Sequence, residues 1–335
     1  MKVSVIATVF NEGPAIHRLL DSLAAQTRLP DEVVVVDGGS TDDTVSILQT
    51  AADDGRLSLR ILVEPGANIS RGRNVAIAAS SGDVIASTDA GVWLSHDWLD
   101  ALVTPFAGQD PPQVVSGVFV PDPQDVFEMA MAATVLPTLS QIDPGRFLPS
   151  SRSVAFTRQA WESVGGYPEW LDYCEDLVFD LRLRQRFSPF AFAPQAAAHF
   201  RPRGSVRSFF KQYYLYARGD GKAGLWGKRH LIRYLTYLVA LPLLAALGWA
   251  VSPWWWAAGA CIAVVGYLGT PYRRLWPRLR RLGWEDRLQA ILWVPVIRLV
   301  GDMAKMIGYP VGWLWRIRRL RDRPELRWRR GLNDK

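Results

Sequence analysis

The sequence predicts an α/β fold: a mainly parallel sheet with helices on both faces, followed by a C-terminal transmembrane-type helical hairpin. Three observations carry that expectation. Apolar runs alternate with amphipathic segments through the first half, the pattern of strands joined by crossover helices. Two apolar segments, 231–251 and 254–272, follow with a single charge between them, Arg233. The charge is also split, because residues 1–199 carry 13 Lys+Arg against 25 Asp+Glu, whereas residues 200–335 carry 26 against 7.

The elements follow in order. VSVIATVF (3–10) reads as a buried strand rather than a leader, since its apolar run is short and follows one lysine. Pro14 to Gln26 has helical periodicity. DEVVVVDGG (31–39) is a second strand closed by glycines, and Ser40 with Asp43 resembles a capping box opening the next helix. LSLRILVE (57–64), a helix over 70–79 and DVIASTDA (83–90) continue the alternation. Beyond residue 110 the spacing predicts strands near 113–120 and 152–157 and a helix over 175–186. Cys174 and Cys261 are the two cysteines, which gives neither a disulfide framework nor zinc spacing and fits a reducing compartment.

Each apolar segment of the second half is about the ~20 residues that span a bilayer, and only Ser252 and Pro253 separate them. Trp254 to Trp256 would lie at the far interface. Lys228, Arg229 and Arg233 precede the hairpin, Arg273, Arg274, Arg278, Arg280 and Arg281 follow it, and the turn is uncharged. The positive-inside bias then puts both ends, and the N-terminal domain, on the cytoplasmic side. In 288–315, Arg298, Asp302 and Lys305 share one helical face, which predicts an amphipathic helix in the membrane interface rather than a third span. The Arg-rich tail would meet anionic headgroups, at about 1 kcal/mol per basic residue. The arginines therefore point to a membrane surface and not to nucleic acid. The expected division is 1–225, 228–272 and 273–335.

In a parallel sheet of this kind, ligands bind beyond the carboxyl ends of the strands. Thr8, Asp37 and Asp89 stand there, after the first, second and fourth strands. Asp37 precedes Gly38-Gly39-Ser40, so a capping role competes with a ligand role. The first strand is followed by no GxGxxG and the chain has no Walker lysine, which argues against a dinucleotide dehydrogenase or P-loop ATPase.

The ordered set VSVIATVFNEG, VVVVDGGSTDDT, SRGRNVAIAASSGDVIASTDAG, VGGYPEW and YCEDLVFDLRLR resembles glycosyltransferase family 2, inverting enzymes of GT-A fold, over roughly residues 1 to 220. The two-helix hairpin resembles its membrane-attached members. The resemblance implies a nucleotide-diphosphate sugar donor. It puts Thr8 and Asp37 at the base and ribose, and Arg71 and Arg73 near the base and diphosphate, with Asn74 ordering their loop. Asp89 matches the first carboxylate of the DxD motif, but Gly91 occupies the place of the second. A divalent cation, Mg2+ or Mn2+, is implied by the family and put in question by Gly91. His199 matches a position near the metal or diphosphate in some members, so Asp89 and His199 are the expected metal ligands. Arg201, Arg203, Arg218 and Lys222 are further cations for the departing diphosphate, with Arg218-Gly219 read as the start of a basic loop.

Single displacement needs a base for the acceptor hydroxyl. Glu175-Asp176 opens the 175–186 helix, where the N-terminus favours ionised carboxylates. The motif favours Asp176, with Glu175 in reserve. Trp170 and Tyr173 precede them and suit a sugar face. The nearest approach to a QxxRW motif is QYYLY at 212–216, which argues against processive synthesis. The expected function is transfer of one sugar to a lipid or lipid-linked acceptor in cell-envelope glycan or glycolipid synthesis. The rivals are a polyprenyl-phosphate glycosyltransferase and a silent nucleotide-sugar-binding scaffold.

Overall fold

The computed structural model describes residues 1–328; Arg329 and Arg330, the end of the Arg-rich tail, lie outside the described residues. In chain order the elements are β1 (Val3–Val9), α1 (His17–Ala24), β2 (Glu32–Asp37), α2 (Thr44–Asp53), β3 (Leu59–Val63), α3 (Ile69–Ala79), β4 (Val84–Ser87) and β5 (Val92–Leu94). Next come α4 (Trp98–Val103), β6 (Val114–Pro121), α5 (Val126–Val135), β7 (Val154–Thr157), α6 (Arg158–Ser163), α7 (Glu175–Phe187) and β8 (Ala191–Phe200). The remainder is helical: α8 (Val206–Ala223), α9 (Gly227–Leu235), α10 (Leu241–Ala250), α11 (Trp254–Ile262), α12 (Gly269–Leu279) and α13 (Trp284–Arg319). Two compact units result, one of Met1–Asp122 with Gln141–Arg201, the other of Pro123–Ser140 with the described residues from Pro202 on.

The first unit is built on one eight-stranded sheet in the order β3-β2-β1-β4-β7-β6-β8-β5. Strands β3, β2, β1 and β4 are parallel, as expected from their valine-rich runs. The second half is mixed: β7 runs against β4 and β6, and β5 against β8, while β6 and β8 are parallel. Val3, Val5, Ala7 and Val9 point into one buried layer and Ile6 into the other. This alternation of faces is the strand period of two, and burial on both sides explains why β1 is apolar throughout. Gly72 of α3 lies against Thr8, since a Cβ there would stand 2.8 Å from the Thr8 Cγ2; α3 can therefore seat its N-terminal half over the end of β1. The capping box expected at Ser40 and Asp43 does not form. Helix α2 starts at Thr44, and Asp43 makes no side-chain cap, because Ser40 Oγ donates to Asp37 instead.

In the second unit the expected hairpin is present. A continuous helix, Gly227–Ala250, of mean hydropathy 1.7 is the one helix among the described residues long and apolar enough to cross a membrane. It turns at Val251–Pro253 into α11 and α12. Gly248 brings the two arms together, since a Cβ there would fall 2.0 Å from the Trp256 indole nitrogen.

Helix α13 is longer than the expected 288–315 segment, and its polarity is reversed relative to a helix lying on water. Leu288, Ile291, Leu292, Leu299, Ile307 and Leu314 are exposed, whereas Asp302 is 7% exposed. Asp302 accepts from Arg233 Nε (2.8 Å), Tyr267 Oη (2.7 Å) and Tyr237 Oη (3.1 Å). The polar face is thus turned inward onto the hairpin. The expected basic loop at Arg218-Gly219 is also corrected, because both residues lie inside α8. A Cβ on Gly221 would meet Tyr309 O at 2.3 Å and one on Gly312 would meet Arg218 O at 1.9 Å. Gly221 and Gly312 thus let two helix backbones touch.

Candidate active site

The sheet edge beyond β2, β1 and β4 collects the expected residues of the first unit. Asp37 ends β2, Thr8 sits one residue from the end of β1, and Asp89 follows β4 by two residues. β2, β1 and β4 are neighbours, so at about 4.8 Å per strand Asp37 and Asp89 leave the same edge roughly 10 Å apart.

Asp37 is fully buried. Its Oδ2 accepts from the Gly39 and Ser40 amides, at 2.8 Å each, and its Oδ1 from Ser40 Oγ. The capping reading is therefore the one its contacts support. Three of about four acceptor positions on a carboxylate are committed to the Gly38–Ser40 turn. Gly39 needs its place there, at φ +97°.

Arg73 is the centre of the site. It lies on α3 with its side chain 2% exposed, and its fork reaches two carboxylates: Nη2 to Asp89 Oδ1 at 2.7 Å and Nη1 to Glu175 Oε1 at 2.8 Å. Its guanidinium lies 5.2 Å from the centre of the Tyr167 ring. The sequence suggested a phosphate-facing arginine; the structure buries it as a brace between β4 and α7. Arg71, one half-turn away, points outward and donates to Glu64 Oε1 at 2.9 Å through Nε. Asn74 orders the neighbouring loop as expected, donating to Tyr167 O and accepting from Tyr167 N, both at 2.9 Å.

The other Asp89 oxygen is held by Arg152, Nε to Oδ2 at 3.2 Å. Sequence reasoning missed Arg152; the only signal was a lone arginine in SSRS just before β7. It is 26% exposed and also packs 4.9 Å from the Phe200 ring centre. Burial raises the Asp89 carboxyl, but Arg73 and Arg152 outweigh it and hold it below the usual carboxylate range.

Helix α7 presents Glu175 and Asp176 in its first turn. Cys174, just before it, has φ +64°, a left-handed conformation that costs a non-glycine residue on the order of 1 kcal/mol. Such strain concentrates at functional turns. Glu175 is 6% exposed, and burial, with Asp176 next in weight, pushes its carboxyl up to about 7 against the pull of Arg73. Asp176 is half-buried, accepting from Leu177 N at 2.8 Å and only distantly from Ser150 Oγ at 3.4 Å. A proton acceptor needs this combination of an oriented carboxylate and an open face. Burial and then Asp176 raise Asp180, one turn on, well above the carboxylate range. Just before α7, the Trp170 indole N–H is buried without an acceptor among the described residues.

The divalent cation that the resemblance implies would need open carboxylate or imidazole donors here. Both Asp89 oxygens are taken by guanidinium groups, and residue 91 offers no side chain. His199, on β8, stacks on Trp93 with ring centres 3.8 Å apart. Its Nε2 lies 3.1 Å from Ser95 Oγ, and burial lowers its pKa against the pull of Asp122. Among the described residues no group of three or more His, Cys, Asp or Glu side chains is placed to hold a metal ion. The expected pair Asp89 and His199 does not fit a cation as arranged. The space beside Gly91 faces Glu12 instead, with Oε2 4.0 Å from where a Cβ would stand. Arg218 and Lys222 belong to the second unit; Lys222 is 9% exposed, with its ammonium 5.0 Å from the Trp315 ring centre.

Residues 4–160 match the family model described as Glycosyl transferase family 2. The O-antigen chain rhamnosyltransferase RfbN of Salmonella typhimurium is 24% identical over 226 residues, 64% of this chain and 71% of that protein. The succinoglycan biosynthesis protein ExoA of Rhizobium meliloti is 27% identical over 278 residues, 77% of this chain and 83% of that protein. Among solved structures, the mannosyltransferase PcManGT from Pyrobaculum calidifontis, in complex with GDP-Man and Mn2+, superposes with a TM-score of 0.60. That likeness, at 22% identity over 91% of this chain and 87% of the other, is one of fold.

Proposed function

The chain is a glycosyltransferase of family 2, whose domain spans residues 4–160, and from that premise we propose that it moves a single sugar from a nucleotide-diphosphate donor to a lipid or lipid-linked acceptor at the cytoplasmic face of a membrane. The observation that carries the reading is the Arg73 fork. By holding Asp89 at 2.7 Å and Glu175 at 2.8 Å, it ties the donor edge of the sheet to the helix that bears Asp176. A donor laid over Thr8, Asp37 and Asp89 would thus present its anomeric carbon toward the first turn of α7.

The steps follow from these positions. An acceptor hydroxyl oxygen attacks the anomeric carbon from the α7 side. The bond to the diphosphate oxygen breaks, and the electron pair leaves with the diphosphate. The hydroxyl proton passes to an Asp176 carboxylate oxygen. General-base help of this kind contributes typically ~10²–10⁴-fold. Glu175 does not compete for that proton, because its carboxyl is already engaged by Arg73. Arg152, partly exposed beside Asp89, and the exposed Arg71 supply cationic groups suited to phosphate oxygens.

A membrane location is supported by the apolar helix Gly227–Ala250 and by the exposed tryptophans Trp249, Trp254 and Trp256 around the hairpin turn. Arginines on the segments before and after the hairpin favour a cytoplasmic catalytic unit. Similarity to proteins named for O-antigen and succinoglycan synthesis supports a role in cell-envelope polysaccharide or glycolipid assembly. Gly91 favours one second reading, a scaffold that binds nucleotide sugar without turnover. Membranes containing the chain, incubated with a panel of labelled nucleotide sugars, test both. Label in the lipid extract with one donor is expected; binding without lipid-linked label from any donor would favour the scaffold.

A further inference from the structure

Two half-buried cations of α13, Arg298 and Lys305, have no carboxylate within ion-pair distance among the described residues. Arg298, Asp302 and Lys305 lie on one face of α13, with Asp302 between the two cations. Asp302 is already engaged, one oxygen by Arg233 and the other by Tyr267 and Tyr237. Arg298 and Lys305 make no hydrogen bond or ion pair among the described residues; their contacts are aromatic, Arg298 4.8 Å from the Tyr267 ring centre and Lys305 4.9 Å from that of Tyr213. The Arg298 Nε is buried without a partner among the described residues. Other cations lie within electrostatic reach. Arg298 and Arg233 both act on Lys305, and Arg298 acts on Arg274 of α12. Asp220, the other acid that reaches Lys305, stands 3.4 Å from His230.

An aromatic face offsets only part of the cost of removing a cation from water. Nor do the two side chains have room to swing free. Gly301 packs α13 on Phe209, and Gly308 and Gly312 bring its backbone onto Tyr214 and Arg218 of α8. Two cations on one helix face, each set on a tyrosine ring and sharing an acid already held by Arg233, Tyr237 and Tyr267, with apolar helix surface exposed beside them, are suited to a multiply charged anion at the end of an apolar chain.

We propose that Arg298 and Lys305 form a binding site for a phosphate or diphosphate group, the charged linker of a lipid-linked sugar acceptor. This deepens the reading of the chain as a transferase acting on lipid-linked acceptors and rests on it for the identity of the lipid. Arginine's fork and lysine's point charge are both suited to such oxygens.

The test uses the full chain in nanodiscs of zwitterionic lipid, without donor or turnover. Binding is followed by tryptophan fluorescence as a long-chain isoprenyl phosphate, phosphatidylglycerol or free inorganic pyrophosphate is added. The wild type is expected to bind the isoprenyl phosphate, and R298Q/K305Q to bind it at least tenfold more weakly. A circular-dichroism helix signal for R298Q/K305Q equal to that of wild type guards against misfolding. Variant-sensitive binding of pyrophosphate but not of the isoprenyl phosphate would keep the anion site and reassign its source to a free diphosphate. Equal binding by wild type and R298Q/K305Q, or a response to phosphatidylglycerol alone, would overturn the proposal. Because no sugar is transferred, failure here is distinct from failure of the transferase reading, which the lipid-extract assay reports.

Discussion

Replacing Arg73 with methionine removes both arms of the fork while keeping a long side chain in the same space. Asp89 retains Arg152 at 3.2 Å, so the group left without a cation is Glu175, 8% exposed at its side chain. Breaking a buried ion pair by removing one partner costs about 3–5 kcal/mol. For a unit of this size each kcal/mol moves the melting temperature by about 2–4 °C, so a drop on the order of 10 °C is expected. The cost should depend on pH, because Glu175 ionises near about 7 in the intact protein. At pH 6 it is mostly protonated and Arg73 has less to hold; at pH 8 the ionised pair is lost in full. At about 1.4 kcal/mol per pH unit beyond the pKa, R73M should destabilise by roughly 1–1.5 kcal/mol more at pH 8 than at pH 6. Thermal unfolding of wild type, R73M, E175Q and R73M/E175Q at the two pH values measures this. The double variant should lose clearly less than the sum of the singles. A loss below about 1 kcal/mol for R73M, or strict additivity at pH 8, would refute the account of Arg73 as the brace of the site.

Other outcomes follow from the same geometry. The Glu175 carboxyl is raised on folding, so the native state holds its proton between pH 4.5 and about 7 while the unfolded chain releases it; the stability it contributes is full below that window and is lost as pH rises through it. The stability of wild type relative to E175Q should therefore decline from pH 4.5 to 7 and level off above, and a flat difference would show that Glu175 is not buried as described. Chelation by EDTA should leave wild-type transfer within about twofold, since the Asp89 oxygens are held by arginines; G91D, placing a carboxylate beside Asp89 and Glu12, should raise affinity for Mn2+ measured by calorimetry. Loss of wild-type transfer on chelation would contradict the donor-set argument.

The parallel half of the sheet was legible because each strand is a short β-branched or aliphatic run ended by Gly, Asp or Glu. Strand β8 was not: AFAPQAAAHF contains no valine, isoleucine or threonine, and it is held as a strand by neighbours on both sides, β6 and β5, which are remote in sequence. The site was legible as a set of positions more than as a set of roles. Asp89 and Glu175 do meet around one guanidinium, and Asp176 follows Glu175 on α7. Which arginine is buried and which exposed in SRGRN depends on the facing of α3, and Arg73 falls inward where Arg71 falls outward. The glycines after Arg218 misled for a physical reason: glycine marks a loop when its φ is needed, and a helix contact when its missing Cβ is needed, as at Gly221. The reversed polarity of α13 was equally hidden, because a period of charged residues does not say whether that face meets water or Arg233.

The measurement closest to the central claim is the transfer rate of D176N under saturating donor, with nucleotide-sugar affinity measured alongside. If Asp176 takes the proton of an acceptor hydroxyl while the donor lies over Asp37 and Asp89, the rate should fall by about 10²–10⁴-fold with donor affinity unchanged within a few-fold. A rate within tenfold of wild type, or a parallel loss of donor binding, would contradict it.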